Sequence, residues 1–252
     1  MTGPGISGTR TFLVVCDFDD SAAECNVAQL LLAEFAGPAA TAVQRAYRDG
    51  KLAFRDYQEK MFNTVAAPVE DLMAYAREHV TLRPGLHDAI TATRERGGAF
   101  VIASAGMDFY VKPVLAANGL GDVPVLSVTG APATAGGATM TFRYDYPAGQ
   151  ERCRDWAVCK CDPIEKARSR DEHVIFIGDG LRSDACAAEK ADTVFARSRL
   201  LEHCKDNGIE AIEFDDFHPI ARHISGLDLG RKGPGDRVTN AESMPETMKA
   251  IE

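Results

Sequence analysis

Residues 11–17 read TFLVVCD, and residues 18–21 continue as FDDS. The first run is short, apolar and rich in β-branched side chains, the pattern of a strand buried on both faces of a parallel sheet. It ends on acids, so charge is delivered to the carboxyl end of a strand. Two later runs repeat the form. Residues 99–104 (AFVIAS) end on Ser104, followed by Ala105 and Gly106; residues 173–178 (HVIFIG) lead into Asp179-Gly180-Leu181-Arg182-Ser183-Asp184. A short fourth strand is expected over residues 193–196. Helical patterns fall between them: residues 86–96, closed by Gly97 and Gly98, and residues 109–118, stopped at Gly119. A further helix is expected to start at Asp162-Pro163-Ile164-Glu165, with Asp162 as N-cap, Pro163 in the first position and Glu165 three residues after the cap. Strands alternating with helices predict an α/β fold, a parallel sheet covered on both faces.

The rhythm breaks once. Between the first and second strands, apolar residues recur at helical spacing through Val27, Leu30, Leu31 and Phe35, then over residues 43–62 and 69–80. Pro38, Gly50 and Pro68 divide this stretch into several helices. Residues 22–82 therefore read as an inserted helical domain, with residues 11–21 and 83–225 forming the core. Residues 125–146 carry a hairpin signal near residues 139–144. Residues 1–10 and 226–252 are polar, Gly-rich or charged, and are expected to be flexible tails.

Bulk properties narrow the function. The chain has 252 residues and a net charge of -9, so the basic footprint of a nucleic-acid surface is missing. No apolar run approaches the roughly 20 residues of a membrane span. A local cluster of cations can still draw an anionic ligand into a cleft of an acidic protein. Seven cysteines, an odd number at scattered spacing, read as free thiols of a reducing, cytoplasmic compartment. Cys153, Cys159 and Cys161 are spaced C-x₅-C-x-C, without the close pairs of ordinary zinc motifs.

Ligands of open parallel sheets bind at the carboxyl ends of the strands. There the sequence places Asp17, Asp19, Asp179 and Asp184, with Ser104, Ala105 and Gly106 on a neighbouring strand end. Lys160 stands just before a helix, whereas the competing Lys166 falls inside it. Carboxylates gathered this closely repel one another unless a hard dication lies among them. Mg²⁺ takes oxygen ligands and offsets the charge of a phosphoryl group. Ser104, the backbone N–H groups after it and Lys160 suit the remaining phosphate oxygens. Asp17 is then free to attack phosphorus. Asp19, two residues on, faces the same side of an extended segment and suits the protonation of a leaving alcohol.

The ordered set of Asp17-Phe18-Asp19, Ser104, Lys160 and Gly178-Asp179-x₄-Asp184 resembles the haloacid dehalogenase-like phosphatases over about residues 11–220. The resemblance implies a Rossmann-like core with a helical C1 cap of the phosphoserine-phosphatase branch. It implies a Mg²⁺-dependent phosphatase for a small phosphorylated metabolite, working through an aspartyl-phosphate. Within that branch, Cys16-Asp17-Phe18-Asp19, the Gly106–Tyr110 run, the Cys159-Lys160 pair and DTVFAR (residues 192–197) are similar to phosphatases of 2-hydroxy-3-keto-5-methylthiopentenyl-1-phosphate. Phosphoserine phosphatases hold their substrate with a Glu and an Arg, where Asn26 and Met61 align here. Asp20 stands where Gly is common, Ser21 replaces Thr, and Ala105 replaces Gly. Asp184 comes one residue later than in close relatives, which leaves open whether it ligates the metal or orients a metal-bound water. Other phosphate esters such as phosphoserine or phosphocholine, transfer to an acceptor alcohol, and non-catalytic phosphate binding are the alternatives. No oligomeric state follows from the sequence.

Overall fold

The computed structural model of the chain describes residues 11–132 and 142–229, so the expectations for residues 1–10 and 230–252, and for residues 139–141 of the hairpin, lie outside the described residues. The chain enters through β1 (Phe12–Cys16) and an irregular turn over Phe18–Ala22. It continues through α1 (Val27–Phe35), α2 (Ala40–Arg48), α3 (Phe54–Phe62) and α4 (Val69–His79). It returns by α5 (Leu86–Glu95) to β2 (Ala99–Met107), α6 (Asp108–Ala117), β3 (Val125–Pro132) and β4 (Phe142–Asp145). Then follow α7 (Cys161–Ser169), β5 (His173–Gly178), α8 (Ala185–Ala188), β6 (Thr193–Ala196), α9 (Ser198–Asp206), β7 (Ile212–Glu213) and α10 (His218–Ser225).

Among the described residues the strands form one seven-stranded sheet in the order β4-β3-β2-β1-β5-β6-β7. All neighbours run parallel except β3 and β4. Strand β1 is central because both its faces are apolar. Phe12, Val14 and Cys16 join one buried cluster with Phe100, Ile102, Ile175 and Ile177. Leu13 and Val15 join a second with Val174, Phe176 and Val194 on the opposite face. This alternation is the two-residue period of a strand, and each fully buried aliphatic side chain contributes about 1.5–3 kcal/mol. From β1 the chain first adds β2 and β3 on one side, then β5, β6 and β7 on the other. The order therefore reverses beside β1, and its carboxyl end is the position at which open parallel sheets bind their ligands.

Helices α1 to α4 leave and rejoin the sheet through a narrow neck. Ala23 and Leu82 form an antiparallel bridge there, and Glu24 N–H and Arg83 N–H donate to Thr81 and Ala22 carbonyls at 3.0 and 2.8 Å. The buried Arg83 side chain secures the neck by donating to the carbonyls of Ser21 (2.9 Å), Asp20 (3.0 Å) and Asp215 (3.0 Å). The inserted helices share the core beyond the neck: Val27, Leu31, Phe62, Leu72 and Ala76 belong to the cluster that covers β1. The Phe62 ring meets Phe109, Tyr110 and Phe142 at centroid distances of 5.7, 6.5 and 6.3 Å.

Two local expectations change. The helix expected to start on Asp162 begins at Cys161, and Lys160 takes the cap position. Asp162 sits in the first turn, where its charge suits the helix N-terminus, and pairs with Lys166 at 2.7 Å, an i,i+4 contact. The chain also remains packed slightly past residue 225: Leu227 is buried, and Arg96 donates to its carbonyl at 2.5 Å.

Candidate active site

Asp17 ends β1, and its N–H donates to the Ile177 carbonyl at 2.9 Å. This bond holds the nucleophile candidate level with the end of β5. The sheet thereby brings residues far apart in sequence to one place. The Lys160 ammonium donates to Asp17 Oδ1 at 2.5 Å and also to Asp184 Oδ1. Lys160 is 1% exposed, Asp184 3% and Asp17 7%, so the ion pairs are sealed from bulk water. Burial works against the ammonium charge, but Asp17 and Asp184 outweigh it and raise the Lys160 pKa.

Asp184 is placed by backbone donors as well as by lysine. Its Oδ2 accepts from the N–H groups of Gly180 (3.0 Å) and Asp179 (3.3 Å). Gly178 must lack a side chain here, because a Cβ would lie 2.8 Å from that oxygen. Ser21 Oγ donates to Asp179 Oδ1 at 3.0 Å and fixes that carboxylate in turn. Carboxylate oxygens of Asp17, Asp179 and Asp184 consequently lie within 4.8 Å of one another. Three carboxylates face one lysine. Burial, and then the charge of Asp184, push Asp179 up to about 7. Burial likewise raises Asp17 well above the ordinary carboxylate range, with Lys160 opposing. The donor set is all oxygen, buried and over-charged, which fits a hard dication such as Mg²⁺.

Asp19 does not join that group through its carboxylate, contrary to the expectation of four converging acids. Its oxygens are already engaged. Oδ1 accepts from Val27 N–H at 2.7 Å and Ala28 N–H at 3.4 Å, which anchors the first turn of α1. Oδ2 accepts from Tyr110 Oη at 3.2 Å and Ser104 Oγ at 3.3 Å. Burial raises its pKa to about 6, against the lowering effect of those backbone donors and Tyr110.

Ser104 is fully buried. Its hydroxyl donates to Asp19 and accepts from Gly106 N–H at 3.0 Å. A Cβ on Gly106 would stand 2.0 Å from Tyr110 Oη and 2.8 Å from Asp19 Oδ2, so only glycine leaves room for this junction. The Ala105 carbonyl accepts from Gln58 Nε2 at 2.8 Å. Gln58 belongs to α3, is buried, and leaves its Oε1 without a hydrogen-bond partner among the described residues.

Several residues here escape a reading of the sequence. Gln58 and Tyr110 lie inside ordinary helical patterns. Arg83 sits at a boundary, where an arginine is unremarkable. Arg197, within DTVFAR, donates to the Asp20 carbonyl at 3.2 Å. Asp20 was legible as an acid where glycine is common, and it adopts a φ of +60°; Tyr110 and Arg197 fell within stretches already singled out, without a role. Asn26 caps α1 by accepting from Gln29 N–H at 2.9 Å, and Met61 is 1% exposed.

The haloacid dehalogenase-like hydrolase family matches residues 13–189, and the chain belongs to that family. The bifunctional enzyme MtnB/MtnX of Bacillus licheniformis is 30% identical over 214 residues, covering 84% of this chain but 49% of the relative. The chain thus spans about half the length of that two-function protein. A 2-hydroxy-3-keto-5-methylthiopentenyl-1-phosphate phosphatase of Bacillus mycoides is 26% identical over 85% of this chain and 96% of its own. In fold the chain is similar to a phospho-aspartyl intermediate analogue of phosphoserine phosphatase, with a TM-score of 0.59 at 18% identity over 85% and 99% of the two chains.

Proposed function

We propose that this protein hydrolyses a small phosphate monoester by way of a phosphorylated Asp17. One observation carries the reading: the Asp17 carboxylate lies at the sheet's reversal point, bonded to a buried lysine and grouped with Asp179 and Asp184. Family membership and relatives named as phosphatases support it.

Asp17 attacks phosphorus, forming an O–P bond as the bond to the leaving alcohol breaks. Asp19 supplies that alcohol with a proton. Water then attacks the phosphoryl-aspartate, Asp19 takes a proton from it, and Asp17 is released with inorganic phosphate. Lys160 and the Ser104 hydroxyl hold phosphate oxygens, and the amides of Ala105 and Gly106 border the same space. Asp17, Asp179 and Asp184 would hold Mg²⁺, with Asp184 either a ligand or the anchor of a bound water. Mg²⁺ would offset charge building on the phosphoryl group. Much of the acceleration rests on positioning, to which these side-chain bonds contribute.

The helices of residues 22–82 act as a cap that selects the leaving group. The methylthio-ketose phosphate named for the Bacillus mycoides relative is the substrate we favour. A phosphoserine substrate is less suited, because Asn26 is spent on capping and Met61 is buried and uncharged. Turnover across a panel of phosphorylated metabolites, with and without Mg²⁺, tests the proposal. Release of phosphate from none of them would overturn it.

A further inference from the structure

The cysteines read as scattered thiols converge in space. Cys153 lies in a short helical turn (Glu151–Trp156), Cys159 follows in the loop, and Cys161 is the first residue of α7. They are 3%, 5% and 0% exposed. Their sulfurs lie within 4.8 Å of one another. A fourth thiol arrives from α8: Cys186 Sγ stands 3.0 Å from Cys161 Sγ and packs on the same cluster, with Trp156 beside it. The C-x₅-C-x-C spacing gave no sign of this, because the fourth member comes from a different helix.

We propose that Cys153, Cys159, Cys161 and Cys186 form a tetrathiolate site for one Zn²⁺, distinct from the oxygen site at Asp17. Zinc bound tetrahedrally by sulfur has Zn–S distances of about 2.3 Å, which sets neighbouring sulfurs about 3.8 Å apart. Three of the sulfurs lie within 4.8 Å of one another and Cys186 stands 3.0 Å from Cys161, so closing the tetrahedron requires the Cys186 side chain to turn toward the other two sulfurs. All four cysteines are free. A disulfide would use two of them and leave the other two buried with no strong partner. Sulfur is also the donor that a soft or borderline ion prefers and Mg²⁺ does not, so the two sites divide metals by hardness. Four thiols bind as thiolates and release four protons to the buffer. Arg152, next to Cys153 in sequence and paired with Glu165 at 2.9 Å, is the nearby cation that would offset part of the resulting negative charge.

The location gives the site a purpose. Lys160 lies between Cys159 and Cys161, and Asp184 lies two residues before Cys186. The metal would therefore tie together the two segments that carry the buried Lys160–Asp184 ion pair. It would act on the active site only by holding that pair in place. The proposal does not depend on the phosphatase reading.

Metal analysis of the full chain, purified with a thiol reductant and dialysed free of loose ions, should find about one zinc per chain. X-ray absorption at the zinc edge should show four sulfur neighbours at about 2.3 Å. Cobalt exchanged for zinc should give a thiolate-to-metal charge-transfer band. Cys153→Ser and Cys186→Ser should each lose zinc to a chelator at least about tenfold more readily, whereas Cys25→Ser should match wild type. If a variant does not fold, absorption spectroscopy on the wild-type protein still decides. The proposal fails if the reduced chain neither retains nor takes up zinc. It also fails if zinc is ringed by oxygen, or if peptide mapping of the reduced preparation finds Cys161 bonded to Cys186.

Discussion

At the scale of single residues, Asp17 and Asp20 show how differently two neighbouring acids are used. Asp17 is held by Lys160 at the carboxyl end of β1. Asp17→Asn keeps the shape but removes the proposed nucleophile, so turnover should fall at least about 10³-fold while the melting curve stays cooperative. Phosphate-release assays on a substrate of the wild-type enzyme measure this. Asp20 instead serves the backbone. At φ +60° it sits in a region where a Cβ is strained, although aspartate is among the side chains that tolerate it best. Asp20→Gly removes that strain, and the bonds from Arg83 and Arg197 go to the carbonyl, which glycine keeps. A gain of up to about 1 kcal/mol is expected, a rise of about 2–4 °C in Tm for a chain of this size. Gly106→Ala should act in the opposite direction. Its methyl would meet Tyr110 Oη at 2.0 Å, so about 1–3 kcal/mol of stability should be lost in a urea titration, together with activity.

Between elements, the decisive contacts cross from the inserted helices to the strand ends. Gln58 of α3 donates to the Ala105 carbonyl, and the Arg182 guanidinium lies 5.1 Å from the Tyr47 ring and 5.4 Å from that of Phe54. Gln58→Leu fills a similar volume but leaves the Ala105 carbonyl, in the segment proposed to hold phosphate, without that donor. A drop of about tenfold in kcat/KM is expected, equivalent to about 1.4 kcal/mol. Steady-state kinetics check it, and an unchanged kcat/KM would remove Gln58 from the account of the site. The neck depends on Arg83. Truncation to Met would leave the Ser21, Asp20 and Asp215 carbonyls short of a donor. About 2–4 kcal/mol should be lost in chemical denaturation.

For the whole molecule, the sheet concentrates negative charge at one point of an already acidic chain. The group Asp17, Asp179 and Asp184 exceeds what Lys160 can neutralise. A dication bound there should stabilise the native state as well as support the reaction. Adding Mg²⁺ to about 100 times its dissociation constant is expected to raise unfolding stability by about 2.7 kcal/mol, seen as a higher Tm. Chelation should reverse the rise and stop turnover, and Mg²⁺ should restore both. A chain whose Tm and turnover ignore Mg²⁺ and chelator would contradict this. The shared aromatic packing of Phe62, Phe109, Tyr110 and Phe142 also bears on movement. Phe62 ends α3, so the C-terminal end of that helix is tied to the core together with α4, and α2, with Ala40 as its buried residue, is left as the freer part of the insert.

Much of this architecture was legible in one dimension. Apolar runs ending in Asp17, Ser104 and Asp179 specify buried strands with polar ends, because burial on two faces needs an unbroken apolar sequence. Their order also indicated the parallel sheet and most of the site. What the sequence could not convey depends on direction and on distance through space. Asp19 follows Asp17 by two residues, yet its carboxylate is drawn away by Val27, Ala28, Tyr110 and Ser104. Gln58 and Arg83 become significant only when carbonyls from other segments arrive beside them. The cysteines illustrate the limit best. Spacing along the chain argued for independent thiols, and only the packing of α8 against the start of α7 brought Cys186 to Cys161. The sequence alone determined which strands form and what chemistry stands at their ends. Tertiary structure decided where each polar atom points, because a hydrogen bond or a metal contact depends on ångström-scale separations that chain order does not encode.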